Sequence, residues 1–217
     1  MIRVATNALN LGWGNRQVRS SSDGAVLTTF PGFEPAATSL MYDWYQSGLG
    51  KQVFLIGPQI APLRSLVASP RAGAPEDDLS PEIFAFLDGH AQRPVCLISF
   101  GTLYFPYQNS SYVTALLGIL LRHQVPFIFS RASETFDPSS LPSALVNEMS
   151  TTGLGLVVDF FPQREVLAHP SVVAFVTTGS VTSMWECIQA NVMPVFWPFA
   201  VDQPLHAALM TTKVSMG

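Results

Sequence analysis

Charged side chains are scarce in this chain. Asp, Glu, Lys and Arg make up 12% of its 217 residues and leave a net charge of −4. No basic run occurs, and no interleaving of aromatic with basic residues, so nucleic acid and anionic membrane surfaces are not expected as partners. Cysteine is scarcer still. Cys96 and Cys187 both fall inside apolar segments, which excludes a disulfide framework and reads as two buried, reduced thiols of an intracellular protein. Long hydrophobic runs are missing. The best of them, residues 115–121 (ALLGILL), is far short of the roughly 20 residues that a membrane span needs. The N-terminal MIRVATNALN lacks a continuous apolar segment of the secretory kind. These absences predict a cytoplasmic chain with no transmembrane segment.

Several catalytic signatures are absent as well. Gly179-Ser180 follows a strand-like segment, but the order is wrong for Gly-x-Ser-x-Gly. No Walker A sequence and no Gly-x-Gly-x-x-Gly fingerprint is present. No Asp-x-Asp pair offers a metal site, and the acidic run Glu76-Asp77-Asp78 reads as a solvated surface.

What is present is apolar and periodic. The hydrophobic share is 48%, enough for a substantial core in one large domain or two smaller ones. Strands are predicted at 24–30, 52–56, 95–100, 126–129, 157–160, 172–177 and 192–197. Helices are predicted at 34–46, 81–87, 112–123, 144–149, 184–190 and 204–210. Leu40, Trp44 and Met41 are assigned to the buried face of the first helix, and Leu116, Ile119, Leu120 and His123 share a face of the third. Residues 1–20 carry little signal and read as a helix end plus a loop. Strands alternating with short helices imply an α/β fold, a Rossmann-like doubly wound parallel sheet. In such sheets ligands bind beyond the carboxyl ends of the strands. Pro58, Pro62, Pro70, Pro75 and Pro81 mark a linker over 59–80, separating a unit at 1–58 from one at 81–217.

One long stretch carries a resemblance. Phe160-Phe161-Pro162-Gln163, Val166-Leu167-Ala168-His169-Pro170, Phe175-Val176-Thr177, Ser183, Glu186, Trp197-Pro198 and Asp202-Gln203-Pro204 stand in a fixed order. Their spacing resembles the donor-binding signature of the UDP-dependent glycosyltransferases, an inverting family with the GT-B fold. The flanks agree, so the resemblance covers roughly residues 20–215. It implies that 81–217 is a nucleotide-sugar donor-binding domain and that 1–58 is the end of an acceptor-side N-domain. The arrest at Gly217 then reads as premature, as in a truncated enzyme.

By that resemblance Phe160 takes the place of a tryptophan that stacks on uracil, with Phe161 beside it. Gln163 and Glu186 match ribose contacts, and a carboxylate suits paired hydroxyls. Thr178, Gly179, Ser180, Thr182 and Ser183 match the diphosphate loop, where a helix N-terminus favours an anion. Thr102 lies in a glycine loop facing the phosphates, and Asp202 and Gln203 match contacts to the transferred sugar. The family usually reads His-Cys-Gly-Trp-Asn-Ser where this chain reads Thr178-Gly179-Ser180-Val181-Thr182-Ser183. Hydroxyls and main-chain amides there would hold phosphate with less charge complementarity.

The implied activity is transfer of a hexose from a UDP-sugar to a hydroxyl of a small lipophilic acceptor, with neither cofactor nor metal. The family's general base is a histidine of the N-domain, whereas the first histidine here is His90. No catalytic residue is therefore assigned, and the alternative is a non-catalytic nucleotide-sugar-binding fragment or regulatory pseudoenzyme. A nucleotide-sugar epimerase is a further option. Without the resemblance, Phe160, Phe161, Trp185 and Trp197 read as core aromatics and His169 as structural. His90, His123 and His206 have no paired carboxylate at useful spacing and read as surface or core.

Overall fold

The computed structural model describes residues 4–6, 23–29, 33, 35–58, 80–101, 110–131, 141–199 and 202–213. The expected linker and Thr102 lie outside the described residues, apart from Ser80. The chain divides into two compact units, Met1–Ala61 with Leu209–Ser215, and Pro62–Ala208 with Met216–Gly217.

In the first unit three parallel strands, β1 (Val4–Thr6), β2 (Gly24–Leu27) and β3 (Gln52–Leu55), pair in that order. Helix α1 (Pro35–Tyr42) continues into a π-helical turn at Asp43–Ser47. The core is Ala25, Leu27, Met41, Tyr45 and Val53. Two expectations need correction. Residues 4–6 form a strand where a helix end or loop was expected, because three residues are too few for alternation to register. The buried face carries Thr38 and Met41 of α1 and Tyr45 of the π-helical turn, while Leu40 is exposed and Trp44 is only partly covered. Leu40 adjoins Met41 in sequence, and consecutive helical residues point about 100° apart.

The second unit is a five-stranded parallel sheet. Its strands are β4 (Val95–Ser99), β5 (Phe127–Ser130), β6 (Gly155–Val158), β7 (Val172–Thr177) and β8 (Met193–Phe196). The helices are α2 (Ser80–Gly89), α3 (Ser110–Arg122), α4 (Ser143–Thr152), α5 (Gln163–Leu167), α6 (Val181–Ala190) and, as far as Ala208, α7 (Gln203–Lys213). The order is β6-β5-β4-β7-β8, every pair parallel. The chain steps outward from β4 to β6, then returns to the other flank of β4 as β7, so the winding reverses between β4 and β7.

β4 shows why the sheet is stable. All five of its residues are buried. Cys96 and Ile98 pack with Val113, Leu117 and Leu121 of α3 and with Leu145 and Met149 of α4. Val95 and Leu97 pack on the opposite face with Ile83 and Leu87 of α2, Val166 and Leu167 of α5, and Cys187 of α6. A strand covered on both faces reads as an unbroken apolar run. Pairing, not apolarity, sets the limits of β6. Phe127 pairs with Gly155 and Ser130 with Val158, so the strand begins before the expected 157–160 run and Phe160 lies beyond its end. The stripe of α3 is also corrected: Val113, Leu117 and Leu121 are buried, whereas Ile119 and His123 are exposed. Apolar residues nearly ring this helix, so periodicity did not select the face.

Both cysteines are free and buried. Burial raises the Cys96 thiol from 9.0 to about 11; burial, with the Glu186 charge adding to it, raises Cys187 to about 12. At pH 8 both are therefore protonated and enclosed. Neither should react with Ellman's reagent in the native chain, and both should react in guanidinium; a fast-reacting native thiol would contradict the packing. Leu117→Ala should lower stability to urea by about 2–5 kcal/mol, whereas Ile119→Ala should change it by less than about 0.5 kcal/mol. Equal losses would place the stripe of α3 wrongly.

Candidate functional site

Where the winding of a parallel sheet reverses, the loops leaving two neighbouring strands diverge and open a crevice at their carboxyl ends. Here those strands are β4 and β7. The first loop begins at Gly101, whose φ of +76° lies in the left-handed region. The second is Thr178-Gly179-Ser180, which enters α6. Gly179 has φ +86°, and a Cβ there would come 2.8 Å from the Phe196 ring. Only glycine fits that turn without displacement. Ser180 caps α6, its Oγ accepting from the Ser183 main-chain N–H at 3.3 Å. Helix α6 thus starts at Val181, three residues before the expected 184, because the cap satisfies the Ser183 amide of its first turn.

Four of the anticipated residues form one connected cluster here. Gln163, at the start of α5, donates through Nε2 to Glu186 Oε2 at 2.6 Å and to Ser183 Oγ at 3.1 Å. Ser180 Oγ donates to Ser183 Oγ at 3.1 Å. Ser183 Oγ accepts in both of its side-chain bonds, so its own proton is not used by them. Glu186 is buried, and its other oxygen lies 3.9 Å from Arg164 Nε. Two hydroxyls and an amide thus gather at the positive end of a ten-residue helix, with the Glu186 carboxylate three residues beyond Ser183, an arrangement suited to an anion beside sugar hydroxyls.

The segment after β8 closes on the same turn. Gln203 Oε1 accepts from the Phe199 main-chain N–H at 2.8 Å, and the Gln203 main-chain oxygen lies 3.6 Å from where a Cβ on Gly179 would stand. Asp202 and His206 are one helical turn apart, with Asp202 Oδ2 3.8 Å from His206 Nε2. His206 Nδ1 meets the Gly179 carbonyl at 3.0 Å. His206 was expected to lack a paired carboxylate. It has one, and the i, i+4 spacing on a helix was the available signal.

The remaining candidates separate. Phe160 is 51% exposed, while Phe161 is 3% exposed and packs edge-on to Phe175. The Phe161 ring therefore belongs to the core. Thr178 is buried and Thr182 is exposed. Trp185 is buried, and Trp197 packs edge-on against Phe100. His169 is structural: its Nε2 lies 3.2 Å from Asp88 Oδ1, and its Nδ1 accepts from the Ser171 main-chain N–H. Arg131 and Asp159, which follow β5 and β6, form an ion pair at the same carboxyl edge; sequence reasoning did not single them out. Among the described residues no three His, Cys, Asp or Glu side chains converge as a metal site, and no helix is long and apolar enough to cross a membrane.

A family model described as UDP-glucoronosyl and UDP-glucosyl transferase matches residues 64–217. A flavonol 3-O-glucosyltransferase of Actinidia chinensis var. chinensis is 32% identical over 192 residues, 88% of this chain and 38% of its own length. An anthocyanidin 3-O-glucosyltransferase of Vitis vinifera is 37% identical over 123 residues, 57% of this chain and 26% of its own. The chain thus spans well under half the length of these curated relatives. A crystal structure of UDP-glucose: anthocyanidin 3-O-glucosyltransferase in complex with UDP is similar at a TM-score of 0.68 and 27% identity, over 91% of this chain and 40% of that one. UGT71G1 of Medicago truncatula, complexed with UDP-glucose, shares the fold at a TM-score of 0.68 and 22% identity, with the same coverage.

The cap can be tested by stability alone. Ser180→Ala should cost about 1 kcal/mol by removing the acceptor for the Ser183 amide. Thr182→Ala, at an exposed position, should cost less than about 0.5 kcal/mol. Equal effects in urea denaturation would remove the capping role.

Proposed function

The chain belongs to the UDP-glucoronosyl and UDP-glucosyl transferase family, and on that premise we propose that it serves transfer of a hexose from a UDP-sugar to a hydroxyl of a small lipophilic acceptor. The carrying observation is the joined cluster of Gln163, Ser180, Ser183 and Glu186 at the N-terminus of α6, beside the reversal of the sheet. In this reading the Ser180–Ser183 turn receives the diphosphate, and Gln163 and Glu186 receive the ribose. The exposed ring of Phe160 offers a stacking face to the base. Asp202 and Gln203 hold the transferred sugar.

The chemistry asked of these residues is positional and electrostatic. The acceptor oxygen forms a bond to the anomeric carbon as the bond from that carbon to the diphosphate breaks. The electron pair leaves with UDP, and the acceptor proton passes to a base. Negative charge grows on the diphosphate, where the N-terminus of α6 and the hydroxyl of Ser183 stabilise it. That substitute for a cation is why we propose metal-independent donor binding. The base belongs to acceptor-side residues and not to this cluster. His206 is buried behind the turn, and His169 is engaged with Asp88. A flavonol and an anthocyanidin name the acceptors of two relatives, which supports a phenolic hydroxyl as the acceptor.

Titration calorimetry with UDP should give the same affinity with and without EDTA; a strict Mg²⁺ requirement would overturn metal-independent binding. Glu186→Ala should weaken UDP and UDP-glucose alike, by about 1.5–3 kcal/mol for a lost charged hydrogen bond. Asp202→Ala should weaken UDP-glucose alone, and equal loss for both ligands would remove its sugar contact. The 217-residue chain by itself is expected to bind donor without enzyme-like turnover on phenols, since a positioned base supplies about 10²–10⁴-fold of such a rate. Turnover near one per second would place the base within these residues.

A further inference from the structure

Resting on that donor-site reading, we propose that His206 is a positioning residue that ties the phosphate-facing turn to the sugar-facing carboxylate, through Gly179 and Asp202. The imidazole is 4% exposed and makes both contacts from the first turns of α7. A carbonyl oxygen only accepts, so the proton of the 3.0 Å contact sits on His206 Nδ1. The other nitrogen, Nε2, faces Asp202 Oδ2 at 3.8 Å, beyond hydrogen-bond length, and is attracted to it when the ring carries both protons. The main chain reinforces the pair, His206 N–H donating to the Asp202 carbonyl at 3.0 Å.

The tie matters because of the peptide plane it holds. The Gly179 carbonyl and the Ser180 N–H belong to one planar trans unit and point in opposite directions. Holding the carbonyl toward α7 aims the Ser180 N–H away from α7. The turn has little freedom to compensate. Gly179 is already at φ +86°, with the Phe196 ring filling the space where a Cβ would stand. One side chain therefore sets both a main-chain donor of the anion-binding turn and the surroundings of the Asp202 carboxylate. Donor affinity and sugar recognition should accordingly be coupled through position 206.

Three substitutions separate this from a purely structural histidine. The amide nitrogen of His206→Asn takes the place of Nδ1 and keeps the bond to Gly179. That of His206→Gln takes the place of Nε2 and keeps only the Asp202 contact. His206→Ala loses both. In calorimetry on the full chain, UDP affinity should fall about three- to tenfold in the Ala and Gln variants, as for one lost neutral hydrogen bond, and stay at the wild-type value in the Asn variant. The extra affinity for UDP-glucose over UDP should persist in the Gln variant and be lost in the Ala and Asn variants. A folded His206→Ala that binds both ligands as wild type overturns the proposal, as does equal impairment of the Asn and Gln variants. If the Ala variant fails to fold, the Asn–Gln contrast decides. Wild-type chain that binds no UDP would sink the donor reading itself, and this proposal with it.

Discussion

Everything in the larger unit follows from burying β4 on both faces while it is hydrogen-bonded on both sides. Such a strand can expose nothing, so its neighbours run parallel and the connections cross over as helices above and below. Parallel strands joined by crossovers put all five carboxyl ends along one edge. Reversal of the winding beside β4 then opens that edge between β4 and β7. The crevice is a consequence of how the core is closed.

The polar residues follow the same geometry. The last residues of β4, β5 and β7 are Ser99, Ser130 and Thr177, all buried. Thr178, Ser183, Glu186, Gln203 and His206, also buried, cluster at that edge or in the loops beyond it. At the opposite edge Ser171 is held by the Leu87 carbonyl. Burying a polar group without a partner costs several kcal/mol at most and about 1–3 kcal/mol in proteins. A protein selected for stability alone would have little reason to gather so many at one end of a sheet.

How much of this was readable depended on the residue. The runs VCLIS and VVAFVT announce strands because double burial removes any polar alternation. Ser180 and Glu186 acquired meaning only from the spacing of the whole segment, which is a property of the family and not of either residue. Ile119 falls on the wrong face because apolar residues nearly ring its helix, and Leu40 because it adjoins the buried Met41 about 100° around the helix. Position 206 was misread because a histidine was judged by nearby motifs and not by the helical turn joining it to Asp202. The strand at 4–6 left no pattern to detect, and Thr102 lies outside the described residues.

The cluster around Glu186 has one further consequence. Gln163 is bonded to both Ser183 and Glu186, and Ser180 joins them through Ser183. On the proposed donor reading, a ribose hydroxyl arriving there exchanges hydrogen bonds as well as adding them, so the enthalpy of its capture is a difference between two bonded states. In that reading a nucleotide lacking one such hydroxyl leaves no stranded carboxylate behind, because Glu186 keeps its bond to Gln163. Sites that strand a buried group when the wrong ligand enters discriminate steeply. On the proposed donor reading, a cluster joined internally in this way discriminates gently among related nucleotides.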